Sequence, residues 1–279
     1  MIKIGFIDYF LDEWHAQYYP DRIKEISGGE MEVVYAYGLI DSPRGGMTNK
    51  DWCEKNNIIL CSTIEEVIEK SDVLAVLSPD NCEMHEELCR LPLRSGKFCY
   101  VDKTFAPDYA TGRRIFDIAE KYNTPCYSTS ALRFAPEYKE LDAENITAIN
   151  CWGPNGFEIY SIHQLEPLVM LMKTGASRVM YVPGEGWYSA VIEFDDGRKG
   201  TISGYNEGSP FMMNVACKGG NKIVNVESNF FYDFLVELVD FFRTGKIKVP
   251  HEETLSIMAL RGAISKAQKT PCQWVQVEG

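Results

Sequence analysis

Short apolar runs alternate with amphipathic helical segments through the first half of the chain, and this alternation restricts the fold more than any other feature. Residues Val73–Leu77 form one unbroken apolar run, as expected of a strand that is buried on both faces of a sheet. Alternating strands and helices predict a mainly parallel sheet that is covered by helices. We predict strands near residues 3–7, 31–36, 58–61, 73–77, 98–101 and 125–127, with helices between them.

The pattern changes at about Ala131, after which strand signals follow one another with few helices between them. We predict strands near 146–152, 178–182, 188–194, 199–205, 212–217 and 222–226, and helices over 162–173, 230–243 and 252–269. The predicted fold is α/β, with an N-terminal Rossmann-like doubly wound parallel sheet (residues 1–130) and a C-terminal α+β domain (residues 131–279). The second domain has an open, mainly antiparallel sheet, whose uncovered face predicts a homodimer or higher homo-oligomer.

Composition excludes several classes of protein. A net charge of -12 argues against nucleic-acid binding, which depends on clustered Lys and Arg. No apolar run reaches the length of about 18 residues that predicts a membrane span, and the N-terminus lacks the layout of a signal peptide. We therefore expect a cytoplasmic protein. The nine cysteines form no CxxC pair, so they predict reduced core residues and no metal site.

Lys103 is the first candidate for chemistry, because it follows the predicted strand 98–101 at the edge where open α/β sheets bind ligands. An ordinary solvated surface lysine is the alternative. The segment around it carries motifs in a fixed order: Pro79 with Asn81 in a turn, His85 in a helix, Gly96-Lys97 in a turn, and Asp102-Lys103-Thr104 after a strand. This order resembles the Gfo/Idh/MocA oxidoreductases, whose corresponding strand ends in Glu-Lys-Pro. The similarity extends over nearly the whole chain.

The resemblance implies an oxidoreductase that uses NAD or NADP to transfer a hydride to or from a hydroxyl carbon of a sugar, polyol or related small molecule. It also implies that His163 flanks the reacting carbon, although Ile159 stands where the family has an Asp. Lys103 and His163 could divide the roles of cation and base, since histidine has a pKa near neutrality. A helix-capping or core histidine is the alternative for His163.

The predicted nucleotide site departs from the usual pattern. The residues Asp8, Phe10 and Glu13 stand where a dinucleotide-binding fold places its three glycines. The candidate cofactor contacts are Asp8, Tyr9, Phe10, Arg44, Ser78, Pro79, Asn81 and Asp102. Arg44 is the nearest candidate to bind a phosphate, and such a contact would leave NAD and NADP equally possible as the cofactor. The alternative is that Arg44 is an ordinary basic residue of a loop.

Two further side chains are tentative substrate contacts. Arg133 could reach an anionic substrate or only brace the junction between domains, and Tyr160 could stack on a sugar ring or belong to the core. Because the glycine positions are altered, a second hypothesis stays open beside the oxidoreductase. In it, the protein has lost dinucleotide binding and acts as a small-molecule binding or regulatory protein, or performs non-redox chemistry on a sugar.

Overall fold

The computed structural model describes all residues, Met1–Gly279, and the chain divides into two compact units. The first comprises Met1–Ala106, Thr111–Thr129 and Phe234–His251, and the second comprises Pro107–Ala110, Ser130–Asp233 and Glu252–Gly279. The assignment of a cofactor role to residues 1–130 and a substrate role to residues 131–279 stays a prediction.

The first unit contains a six-stranded sheet in which all strands are parallel. Its strands are β1 (Ile2–Asp8), β2 (Met31–Gly38), β3 (Ile59–Leu60), β4 (Val73–Val76), β5 (Cys99–Val101) and β6 (Cys126–Tyr127), in the order β3-β2-β1-β4-β5-β6. This is the strand order of a doubly wound dinucleotide-binding sheet. The predicted Rossmann-like fold of this half is confirmed.

Helices connect these strands, as predicted, with one exception. They are α1 (Trp14–Ile26), α2 (Asn49–Asn56), α3 (Ile64–Lys70), α4 (His85–Leu88) and α5 (Tyr109–Lys121). The sequence predicts a helix over residues 83–94 that kinks or frays near Pro92. The segment instead forms two 3₁₀ turns, Cys82–Met84 and Pro92–Arg94, with α4 between them. Pro92 explains the break, since its ring clashes with the carbonyl four residues earlier and ends the helix at Leu88.

The second unit contains a seven-stranded sheet in which only β7 and β10 pair in parallel. Its strands are β7 (Ile146–Pro154), β8 (Ala176–Gly184), β9 (Trp187–Phe194), β10 (Lys199–Tyr205), β11 (Met212–Cys217), β12 (Gly220–Asn225) and β13 (Trp274–Gln276). The predicted mainly antiparallel sheet is confirmed. The short edge strand β13 was not expected, because three residues beside a proline-containing turn give too weak a pattern.

Three helices complete the fold: α6 (Phe157–Met172), α7 (Phe230–Thr244) and α8 (His251–Ala267). The predicted start of α6 at residue 162 is wrong, since the helix begins five residues earlier behind Gly156. Tyr160 therefore lies inside the helix and not ahead of it, and His163 lies farther from the start of the helix than predicted. None of the helices combines the length and the apolar surface that a membrane span needs.

Candidate functional site

Lys103 lies just past β5 at the carboxyl edge of the parallel sheet, and only 5% of its surface is exposed. Its Nζ donates a hydrogen bond to the carbonyl oxygen of Pro79, 3.1 Å away. Pro79 follows the neighbouring strand β4, so the structure brings these two predicted residues together. An ammonium group carries three N–H donors, so Lys103 is able to donate further hydrogen bonds.

Asp102 anchors this edge from within the unit and is completely buried. Its carboxylate accepts hydrogen bonds from the Tyr100 hydroxyl at 3.0 Å and from the Lys103 amide at 2.8 Å. It also contacts Nδ1 of His15. Burial alone would raise the pKa of Asp102, but the charges and hydrogen bonds of His15 and Lys103 lower it below its ordinary value. Asp102 thus remains an anion beneath Lys103.

His15, on α1, completes a buried polar network that sequence analysis did not anticipate. Its Nδ1 lies 2.9 Å from the Tyr19 hydroxyl and also contacts Asp102. Burial lowers the pKa of His15, and Asp102 only partly opposes that shift. Because 87 residues separate His15 from Asp102, no local pattern could reveal the pair.

The loop after β1 turns its side chains into the protein. Asp8 is 1% exposed, and its Oδ1 accepts a hydrogen bond from the Tyr9 amide at 2.7 Å, while its Oδ2 has no hydrogen-bond partner. Burial, followed by the charge of Asp102, raises the pKa of Asp8 well above its usual range despite the nearby amides. Phe10 is 3% exposed. The loop therefore has the character of a protein core.

Glu13 is the N-cap of α1. Its carboxyl accepts hydrogen bonds from the His15 amide at 2.7 Å and from the Ala16 amide. Burial raises the pKa of Glu13 well above its usual range, and the charges of Asp8 and Asp102 raise it further. The amides that normally bind an anion at a helix N-terminus are therefore occupied by the protein's own side chain.

Two polar side chains fasten this loop to the segment after β2. Asn49 Oδ1 accepts a hydrogen bond from the Leu11 amide at 3.0 Å, and Asn49 Nδ2 donates to the carbonyl of Ile40 at 2.7 Å. Asp12 Oδ2 accepts from the Met47 amide at 2.9 Å. The two loops that border an adenosine site in a dinucleotide-binding sheet are thus joined to each other.

The other predicted cofactor contacts also have partners within the first unit. Arg44 forms an ion pair with Asp80 at 2.8 Å, and its guanidinium lies 5.6 Å from the centre of the Phe10 ring. Ser78 adopts a left-handed φ of 76° and donates from Oγ to the carbonyl of Asn81 at 3.0 Å. A serine in this conformation is held there by its surroundings at some cost.

In the second unit, His163 faces a serine that sequence analysis did not identify. Its Nδ1 lies 2.7 Å from Ser130 Oγ, and its ring contacts the edges of the Tyr160 and Phe211 rings. Ser130 Oγ also accepts a hydrogen bond from the Leu132 amide at 3.2 Å. The hydroxyl therefore fixes the orientation of the imidazole. The helix-capping alternative does not apply, because His163 lies within α6.

Arg133 lies partly buried between two carboxylates. It pairs with Glu166 at 3.3 Å and with Glu253. Burial tends to lower the pKa of the Arg133 guanidinium, but the two carboxylates outweigh it and raise that pKa. The charge of Arg133 is already balanced, so its position fits a brace within the second unit. A role in binding an anionic substrate stays a prediction.

The sequence matches no protein-family model and no curated protein. Solved structures, by contrast, match over the full chain. One is a probable dehydrogenase from Thermotoga maritima, with 15% identity, a TM-score of 0.80 and coverage of 99% of both chains. The chain has the fold of dehydrogenases.

Two further dehydrogenases share this fold. A scyllo-inositol dehydrogenase from Lactobacillus casei, solved with NAD(H) and scyllo-inositol, shows 14% identity and a TM-score of 0.77 over 99% of both chains. The UDP-N-acetylglucosamine 3-dehydrogenase from Acidithiobacillus ferrooxidans shows 8% identity and a TM-score of 0.78, over 95% of this chain and 97% of that one. The fold implied by the sequence resemblance is therefore confirmed.

A dinucleotide in such a sheet places its pyrophosphate at the N-terminus of the helix after β1, against a glycine-rich turn. Here Glu13 already holds two of the helix amides, Phe10 fills the turn, and Asp8 adds a second buried carboxyl. These residues do not fit a pyrophosphate in that position.

Proposed function

We propose that the protein is an oxidoreductase that acts on a hydroxyl-bearing carbon of a sugar, polyol or related small molecule. The observation that carries the proposal is the buried Lys103 at the carboxyl edge of the parallel sheet, in a chain with the fold of dehydrogenases. The electron carrier implied by this fold is NAD or NADP. The side chains at the N-terminus of α1 do not fit the pyrophosphate of that carrier.

The chain's own residues are suited to handling a hydroxyl group. The Lys103 ammonium can donate a hydrogen bond to the oxygen of a reacting alcohol and stabilise the negative charge that develops there. His163, held by Ser130, is suited to accept the hydroxyl proton. Lys103 belongs to the first unit and His163 to the second. The role of each residue is proposed separately, from its own surroundings.

A second candidate function follows from the altered loop after β1. The buried carboxyls of Asp8 and Glu13 favour a protein that keeps the fold without ordinary dinucleotide binding. Such a protein would bind or sense a small hydroxylated molecule, or perform non-redox chemistry on a sugar with Lys103. The two candidates differ in one measurable property, which is the affinity for NADH and NADPH.

Titration with NADH and NADPH, followed by nicotinamide fluorescence and thermal shift, tests the leading proposal. A protein that binds either carrier and reduces or oxidises a member of a panel of inositols and sugars supports it. No binding at about 1 mM carrier, which is at the upper end of typical KM values, together with a thermal shift by a member of the panel, would favour the second candidate.

We also propose a cytoplasmic homodimer. The second sheet supports the dimer, because alternate residues of β9 and β10 are half-exposed while those between them are buried. A broad, partly apolar sheet face is stabilised when another surface covers it. Light scattering at micromolar concentration tests the oligomeric state, and a monomer would contradict this part of the proposal.

A further inference from the structure

The N-terminus of α1 is an anion-binding position that the chain itself fills. The first four amides of a helix have no partner inside the helix, and together with the helix dipole they attract a negative group. At α1 the amides of His15 and Ala16 donate to the two oxygens of Glu13. One carboxyl group thus satisfies two amides, as the oxygens of a phosphate group do at such a position.

We infer that Glu13 is a built-in occupant of the phosphate position and that, as folded, it excludes a dinucleotide pyrophosphate from α1. The residue is 7% exposed, so it belongs to the interior. The inference concerns the first unit alone. It bears on the cofactor of the proposed function, and it can be tested without any turnover.

Competition explains why an external phosphate would bind weakly. Glu13 is attached to the helix that it caps, and an intramolecular partner acts at a high effective concentration. A free anion must displace this carboxyl and leave it buried without its two donors. A buried polar group that loses its hydrogen-bond partners is unfavourable, and more so when it is charged. The incoming ligand would have to offset this cost before it gained any affinity.

The surroundings reinforce the exclusion. Asp8 Oδ2 is buried without a hydrogen-bond partner at the end of β1, so an anion near the start of α1 would meet a second carboxyl. Asn49 ties the amide of Leu11 to the segment after β2, and Asp12 makes a similar tie to Met47. The loop that carries Glu13 is therefore fixed at both its middle and its end.

Calorimetric titration with inorganic pyrophosphate tests the inference directly, because this probe needs only the helix N-terminus. The proteins compared are the unaltered chain, Glu13→Gly, Glu13→Ala and the control Glu25→Gln. Glycine is among the residues tolerated at an N-cap, and Glu13→Ala serves if the glycine variant does not fold. Glu25 lies on the same helix, with 59% of its side chain exposed, so its substitution removes a carboxylate without opening the site.

We expect Glu13→Gly and Glu13→Ala to bind pyrophosphate at least about tenfold more tightly than the unaltered chain, a factor that corresponds to about 1.4 kcal/mol. Glu25→Gln should bind no better than the unaltered chain. Micromolar binding by the unaltered chain would overturn the inference while leaving the oxidoreductase proposal intact. A folded Glu13 variant that gains no affinity would also overturn it. A gain in pyrophosphate affinity without any redox activity would uphold it while the oxidoreductase proposal failed.

Discussion

The carboxyl ends of β1 and β5 belong to the same parallel sheet, yet their side chains do different things. At the end of β1, Asp8, Phe10 and Glu13 point into the protein, and their neighbours are backbone amides and core side chains. At the end of β5, Lys103 is also buried, and its Nζ donates a hydrogen bond to the carbonyl oxygen of Pro79. One end has become part of the core, and the other retains a charged donor suited to a ligand.

This difference separates two properties of the molecule, which are the arrangement of its strands and helices and the identity of the side chains at the edge of the sheet. The chain shares its fold with solved dehydrogenases at TM-scores of 0.77 to 0.80, although the identity is 15% or less. The cofactor contact after β1 depends on three glycine positions, and the chain replaces all of them without loss of the sheet. A fold therefore predicts where a ligand could bind, whereas the side chains decide whether it does.

Removal of the ammonium group at the β5 end is expected to have the largest effect on activity. Lys103→Ala should lower kcat/KM for the identified substrate by roughly 10²–10⁴-fold, the usual contribution of one positioned acid–base or charged group. Lys50→Ala is the matched control, since it deletes a lysine of the same unit whose side chain is 73% exposed. Turnover that stays within about twofold of the unaltered protein in Lys103→Ala would show that this end of the sheet is not catalytic.

Truncation of a side chain at the β1 end should destabilise the protein as a substitution in its hydrophobic core does. Phe10→Ala removes a ring that is almost fully buried, so we expect the free energy of unfolding to fall by about 3–5 kcal/mol. Urea unfolding measures the change, with the half-exposed Tyr122→Ala as the control aromatic truncation in the same unit. If Phe10 instead lined an open nucleotide site, its truncation would cost little, and the contrast between the two ends would disappear.

The sequence predicted the two sheets well because periodicity and turn residues are local signals. The strands of both sheets, apart from β13, were expected within a few residues of their positions. The start of α6 was expected at the wrong residue, because Gly156 caps that helix without a side chain and Pro167 lies inside it. Gly and Pro normally indicate the end of a helix, so the pattern shifted the expected start toward the clearer apolar stripe.

The candidate site could be predicted only in part, for a different physical reason. Lys103 and the three replaced glycine positions are visible in the sequence because they follow strands. The contacts of Asp102 with His15 and of Asn49 with Leu11 join residues 87 and 38 positions apart. Ser130 and His163 are 33 residues apart. Such pairs depend on tertiary packing, so a single sequence does not show which two residues will be in contact.

A smaller effect on activity is expected from the serine that orients His163. Ser130→Ala should lower kcat about tenfold with little change in KM, since one hydrogen bond contributes roughly 0.5–1.5 kcal/mol. The pH profile of kcat should also shift, because the imidazole loses its Nδ1 partner. Ser161→Ala is the matched control, as this buried serine on the same helix has an Oγ without a hydrogen-bond partner. Equal effects of the two substitutions would argue against a positioning role for Ser130.

The smallest expected effect is a pH-dependent change in the free energy of unfolding. It concerns the buried carboxyl of Asp8 at the end of β1. Burial and the charge of Asp102 raise the pKa of Asp8 in the folded protein above its unfolded value of about 3.9. Between those two values the folded state binds more protons than the unfolded state, so stability falls as pH rises through that window. One such group contributes a slope of at most about 1.4 kcal/mol per pH unit.

Asp8→Asn keeps the shape of the side chain and removes its titration. Urea unfolding at a series of pH values from 4 to 8 should therefore show that the stability of the variant, relative to the unaltered protein, increases with pH. Asp51→Asn is the control, because the pKa of this exposed carboxyl is lowered by its hydrogen bonds to Thr48, which predicts the opposite slope near pH 4. A difference between Asp8→Asn and the unaltered protein that stays constant with pH would mean that Asp8 is ionised at no cost in the folded state, and the β1 end would then tolerate charge as the β5 end does.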